Sequence, residues 1–148
     1  MSGEQARAWV EVRPPRGSDC TSWSPQHLRD LSGVRQEFLA WITAAGDDSP
    51  RLRENRVEES VLALDELLSN ALRHGRTPIE VQVCTSEGGV LLQVADHAAE
   101  NPPQPTSTRD PSEGGMGLGM IADFALDCGW FAPGEQKVVW AVMPDSEA

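Results

Sequence analysis

The hydrophobic period of this chain changes between Leu52 and Cys84, and that change limits the fold the chain can build. From Leu52 to His74 apolar residues recur every three or four positions, which is the period of a helix with one buried face. Gly75 stops the run. The segments IEVQVC (Ile79 to Cys84) and VLLQVAD (Val90 to Asp96) then alternate, as strands with one face in a core do. SEGG between them supplies a hairpin connection. A helix followed by a hairpin, each with one apolar face, predicts a layered α+β domain.

The rest of the chain fits around this unit. AWVEV (Ala8 to Val12) reads as a first strand, and RPPRGSDCTSW as a loop. Ser24-Pro25 reads as the cap and first residue of a helix carrying Leu28, Leu31, Val34, Phe38, Trp41 and Ile42, ending near Gly46. After Asp96 comes HAAENPPQPTSTRDPSEGG, an aperiodic stretch of the kind that forms lids and binding loops. A short helix (about Leu118 to Leu126) and two strands, CGWFA and KVVWAVM, joined by PGEQ, complete the chain. The expected architecture is a single domain over residues 1–148. It is a two-layer sandwich of one mixed, mostly antiparallel sheet with helices on one face, and residues 97–116 form a lid. The other sheet face must be solvated or covered by a partner.

With 23 acidic against 12 basic residues the net charge is −11, which disfavours nucleic acid and anionic membranes as partners. No apolar run reaches bilayer length, and MSGEQARAWVEV lacks a secretory signal, so the expected location is cytoplasmic. Three widely spaced cysteines without a CxxC pair argue against a disulfide framework or zinc site, and Cys84 and Cys128 read as buried thiols.

Three features carry chemistry. In DELLSNALRHG, Glu66, Asn70 and His74 stand four residues apart and form one stripe on a helix whose other side holds Val57, Val61, Leu64, Leu68, Ala71 and Leu72. Leu67 flanks that stripe. A cleft-facing carboxylate needs a partner such as a cation or a bound water; a solvent-facing stripe needs none. GGMGLGM (Gly114 to Met120) opens a helix after the loop. Its glycines allow close backbone approach to phosphate, or simply hinge a lid. It is neither a Rossmann nor a Walker loop. Asp96 ends a strand, where it can accept a hydrogen bond from an exocyclic amine or serve as an ordinary turn acid.

Taken in order, an Asn-bearing helix, an Asp ending a strand, a lid and GxGxG opening a helix resemble the Bergerat ATP-binding fold of histidine kinases and type II topoisomerases. ELLSNALRHG, GGMGLGM and the closing VVWAV are most similar to the small bacterial anti-sigma factor serine/threonine kinases of partner-switching systems. The resemblance spans about Ser24 to Val142. It implies ATP and Mg²⁺ as cofactors, with Asn70 as the metal ligand and Glu66 as the general base. It also implies that Asp96 reads the adenine amine, that Gly115, Gly117, Leu118 and Gly119 lie along the phosphates, and that Arg73 and His74 stand near the metal end. The implied partners are a sigma factor and an anti-sigma-factor antagonist, with a homodimer possible; Phe38 and Trp41 are candidate interface groups, though both suit core packing better.

The chain departs from the pattern at two places. Asp96-His97-Ala98 lacks the usual glycine, and Glu113 stands where related kinases often carry arginine, with Arg109 the nearest lid base. Two functions stay open: a protein serine/threonine kinase acting on the antagonist, or a weak or non-catalytic nucleotide-binding module that sequesters proteins. A detached histidine-kinase catalytic domain fits less well, because no preceding helix pair bears a phosphoacceptor histidine.

Overall fold

The structure, a computed structural model, describes residues 9–44, 54–103 and 117–145. Strand β1 (Ser18–Trp23) leads through a 3-10 turn (Leu28–Asp30) into α1 (Leu31–Thr43) and α2 (Glu54–His74). The hairpin β2 (Glu80–Ser86) and β3 (Gly89–Asp96) follows, then α3 (Gly117–Phe124), β4 (Asp127–Phe131) and β5 (Lys137–Pro144). The sheet runs β1-β2-β3-β5-β4, and every neighbouring pair is antiparallel. An isolated parallel bridge, Glu11 to Trp130, lies outside these strands, so the sheet itself is wholly antiparallel rather than mixed. The α+β class and the antiparallel pairing are as expected.

One core forms between the sheet and the helices. Val81, Val83, Leu92, Val94, Val139 and Ala141 project from alternating positions of three adjacent strands. They meet Val34, Phe38 and Ile42 of α1, Leu64, Leu67, Leu68 and Ala71 of α2, and Leu118 and Ile121 of α3. Truncating one of the fully buried leucines to alanine costs about 2–5 kcal/mol. Leu67, expected only to flank the polar stripe, is a full member of this core. Phe38 is completely buried and stacks against Trp41, so it has no surface to offer a dimer. The Arg35 guanidinium reaches Asp65 at 2.9 Å and ties α1 to α2.

The chain's start differs from the expectation. Ala8 lies outside the described residues, and Trp9 to Val12 form a bridge rather than a strand. The Val12 N–H donates to the Trp130 carbonyl, and the Trp130 N–H donates to that of Val10. From there the chain crosses the sheet face opposite the helices. The Trp140 indole donates to the Val12 carbonyl, and Gly17 reaches Cys84 on β2. This strap lies over the second cluster, Cys84, Leu91, Trp140 and Val142, so part of the face left open by the sequence is covered from within the chain.

SDCTSW, expected as loop, is edge strand β1. Its residues are mostly exposed and polar, so the apolar alternation that marks a half-buried strand is missing. A register shift between Ser18 and Thr21, with Asp19 at φ 53°, sets Cys20 beside Cys84. Cys20 and Cys84 are joined by a disulfide, correcting the expectation of thiols, whereas Cys128 is a buried thiol outside the disulfide, as expected.

The first helix is entered differently too. It starts after the 3-10 turn rather than at Pro25. The Asp30 carboxylate accepts the backbone N–H groups of Gln26 and His27, each at 3.0 Å. Those two bonds hold the Asp30 carboxyl below its usual range. The helix ends at Thr43, and Gly46 lies outside the described residues.

Candidate functional site

Helix α2 packs against β3 and β5, and its polar stripe climbs out of that contact. Glu66 is only 8% exposed, Asn70 is half-buried, and His74 is exposed, as is Arg73. A solvent-facing stripe would leave all three wet, so burial of Glu66 sets that simple reading aside. Asn70 makes no side-chain hydrogen bond among the described residues. Arg73 and His74 occupy the last turn, where positive charge suits the helix dipole.

The helix ends against the strand that carries the second feature. Gly75 donates its N–H to Ala71 and lies on the side chain of Asp96. A Cβ there would stand 2.6 Å from both Cγ and Oδ2 of Asp96, so no larger residue fits without movement. Asp96 is 1% exposed. Its Oδ1 accepts the Ala98 N–H at 2.6 Å, while Oδ2 faces the Lys137 ammonium at 3.5 Å. Asp96 and Lys137 are register partners on β3 and β5.

The first residues after Asp96 are anchored. His97 N–H donates to the Arg76 carbonyl, and the Arg76 guanidinium returns a bond to the His97 carbonyl, both at 2.8 Å. Arg76 also pairs with Glu100, which it holds below the usual carboxylate range. Lys137 donates to the Asn101 carbonyl at 2.5 Å. Of the expected lid, residues 97–103 are thus tied down at its base. Gly115, Arg109 and Glu113 lie outside the described residues.

Helix α3 begins at Gly117, whose φ of 78° favours glycine. The Leu118 side chain is in the core, and its carbonyl accepts the Trp9 indole N–H at 3.2 Å. Leu118 can therefore serve a ligand only through its backbone N–H. Gly119 is exposed, and a Cβ on it would meet open space, so packing does not explain it. The first N–H groups of the helix lack intrahelical acceptors.

Gly75, Arg76 and Lys137 join the site only in the fold; the sequence marks Gly75 as a helix stop alone. Lys137 could have been found by parity, since it shares the core-facing side of β5 with Val139, Ala141 and Met143. An open groove of about 740 Å³ lies beside Arg76, His97, Glu100, Trp130 and Glu135, and it includes none of Glu66, Asn70 or Asp96.

The arrangement fits a nucleotide and a cation. Among the described residues a buried carboxylate keeps one oxygen without a hydrogen bond beside a glycine cradle, and an amide without a side-chain bond stands one helical turn from a buried acid. Among the described residues no group of three or more His, Cys, Asp or Glu could hold a metal alone. A cation here would need oxygens from a ligand, as Mg²⁺ does when it shares phosphates.

The family model described as "Histidine kinase-like ATPase domain" matches residues 25–143, most of the chain. The chain belongs to this family. This histidine kinase-like ATPase domain is also similar to the solved Acinetobacter baumannii histidine kinase AdeS. That match has 11% identity and a TM-score of 0.46, and covers 86% of this chain and 68% of the other. No curated protein sequence matches it. Among the described residues no helix is long and apolar enough to cross a membrane.

Proposed function

We propose that this histidine kinase-like ATPase domain is an ATP- and Mg²⁺-dependent protein serine/threonine kinase of a partner-switching system. It phosphorylates an anti-sigma-factor antagonist and alternately sequesters a sigma factor. The observation that carries this reading is the pairing on α2 of a buried Glu66 with Asn70, one turn apart, on a helix that ends at Gly75 against Asp96.

Each residue then has a task. Asn70 offers its side-chain oxygen to Mg²⁺, and bound Mg²⁺ neutralises charge on the phosphates. Glu66 orients the substrate hydroxyl and takes its proton at a carboxylate oxygen. Asp96 accepts the adenine amine at Oδ2, and Gly75 keeps that approach open. Gly115, Gly117 and Gly119 let backbone N–H groups face the phosphates. Arg73 adds positive charge at the same end of the helix, with His74 beside it.

Incubation with a candidate antagonist and γ-labelled ATP tests the kinase reading. Transfer that disappears in Glu66→Gln supports it; no transfer by the wild-type protein removes it. A second reading is favoured by Ala98, which stands where the family pattern has glycine, and by the Lys137 charge beside Asp96. In it the domain holds nucleotide weakly or without turnover and acts by protein sequestration. ATP binding with no transfer to any antagonist would decide for it.

A further inference from the structure

Lys137 is the one buried lysine among the described residues, at 6% exposure, and it sits on the helix-facing side of the sheet next to Asp96. A buried ammonium needs paired charge and hydrogen bonds. It has three donors. One goes to the Asn101 carbonyl at 2.5 Å, and a second faces Asp96 Oδ2 at 3.5 Å. That second distance is an ion pair but too long for a full hydrogen bond. No described partner takes the third donor. Asp96 is complementary: Oδ1 is taken by Ala98, and among the described residues Oδ2 has only the Lys137 ion pair and no hydrogen bond. A buried donor and a buried acceptor therefore stand side by side, both under-used.

We propose that Lys137 is a second base-reading residue. Its ammonium donates to the adenine ring nitrogen next to the exocyclic amine that Asp96 accepts. Adenine presents this pair, a donor amine beside the acceptor N1, on its Watson–Crick edge. The two side chains on neighbouring strands read both halves of that edge, and the carboxylate alone reads only the amine. The inference rests on the ATP-binding reading above and deepens it.

Calorimetric titration with Mg²⁺ tests it, using ATP and 1-deaza-ATP, in which a C–H replaces that ring nitrogen and the amine is kept. A charged hydrogen bond lost there lowers affinity, and the expected loss in the wild-type protein is about tenfold. In Lys137→Met the two nucleotides bind alike, because the donor is gone. Equal affinity of the wild-type protein for both nucleotides overturns the proposal, and this arm needs no variant to fold. So does tighter ATP binding by Lys137→Met, which would make Lys137 a competitor for Asp96. An undiminished penalty for 1-deaza-ATP in the variant overturns it as well. A wild-type protein that binds neither nucleotide overturns this inference and the ATP reading together; one that binds ATP without discriminating overturns only this inference.

Discussion

Gly75 closes α2 directly against the carboxylate of Asp96, leaving no room for even one methyl group between helix end and strand end. The Ala71 carbonyl would stand 2.7 Å from the same added carbon, so two sides of the space are occupied. The Ala71 carbonyl is backbone, and the buried Asp96 carboxylate is held by the Ala98 N–H and faces Lys137. Gly75→Ala must move Asp96 or the last turn of the helix. The expected result is a stability loss of about 1–3 kcal/mol, as for other overpacking substitutions, and weaker nucleotide binding. Urea denaturation and an ATP titration of the variant check both parts.

Glu66→Gln keeps the shape of a buried side chain and removes the proton acceptor. Phosphoryl transfer to an antagonist should fall by about 10²–10⁴-fold, while ATP affinity stays within a few-fold of wild type. Single-turnover kinetics with separately measured binding distinguishes the two. A parallel loss of affinity and transfer would make Glu66 a structural acid.

The Cys20–Cys84 bond closes a separation of 64 residues and pins edge strand β1 to β2. A loop of that size stabilises the native state by roughly 2–4 kcal/mol through the unfolded chain. Thiol titration of the unfolded, non-reduced protein should find one thiol, Cys128, out of three cysteines. Adding reductant should raise the count to three and lower the melting temperature.

Much of the site was legible because its chemistry follows local periods. Four-residue spacing placed Glu66, Asn70 and His74 on one stripe, and strand alternation placed Asp96 at a strand end. What that spacing could not give was depth: only packing shows Glu66 buried, Asn70 half-buried and His74 exposed. Residues whose role depends on a neighbour far along the chain were missed. Gly75 matters through Asp96, and Lys137 through Asp96 and Asn101. The same holds for Cys20, which meets Cys84 only because a polar, exposed segment pairs as an edge strand. The covered outer face was equally hidden, since the strap from Val12 to Gly17 has no periodic signal.

Asp30 gives the protein a pH dependence that can be worked out. Backbone N–H bonds from Gln26 and His27 lower its carboxyl below the 3.8 of the unfolded chain. The stabilisation is therefore fully present above 3.8 and is lost as pH falls through the lower folded value. Asp30→Asn removes this contribution. Denaturation at stepped pH should show the variant less stable at neutral pH, with the gap to wild type shrinking in acid.

If Asn70 meets nucleotide through Mg²⁺, calorimetric titration of ATP into wild-type protein and Asn70→Ala, with and without Mg²⁺, will show it. Asn70 is half-buried and makes no described side-chain bond, so the variant should melt with the wild type in the absence of ligand. Binding by the wild type should be saturable and Mg²⁺-dependent, and should weaken by about tenfold or more in Asn70→Ala, a loss of at least one charge-assisted contact. Saturating ATP that produces neither heat nor a shift in melting temperature in the wild-type protein, with or without the metal, would contradict it.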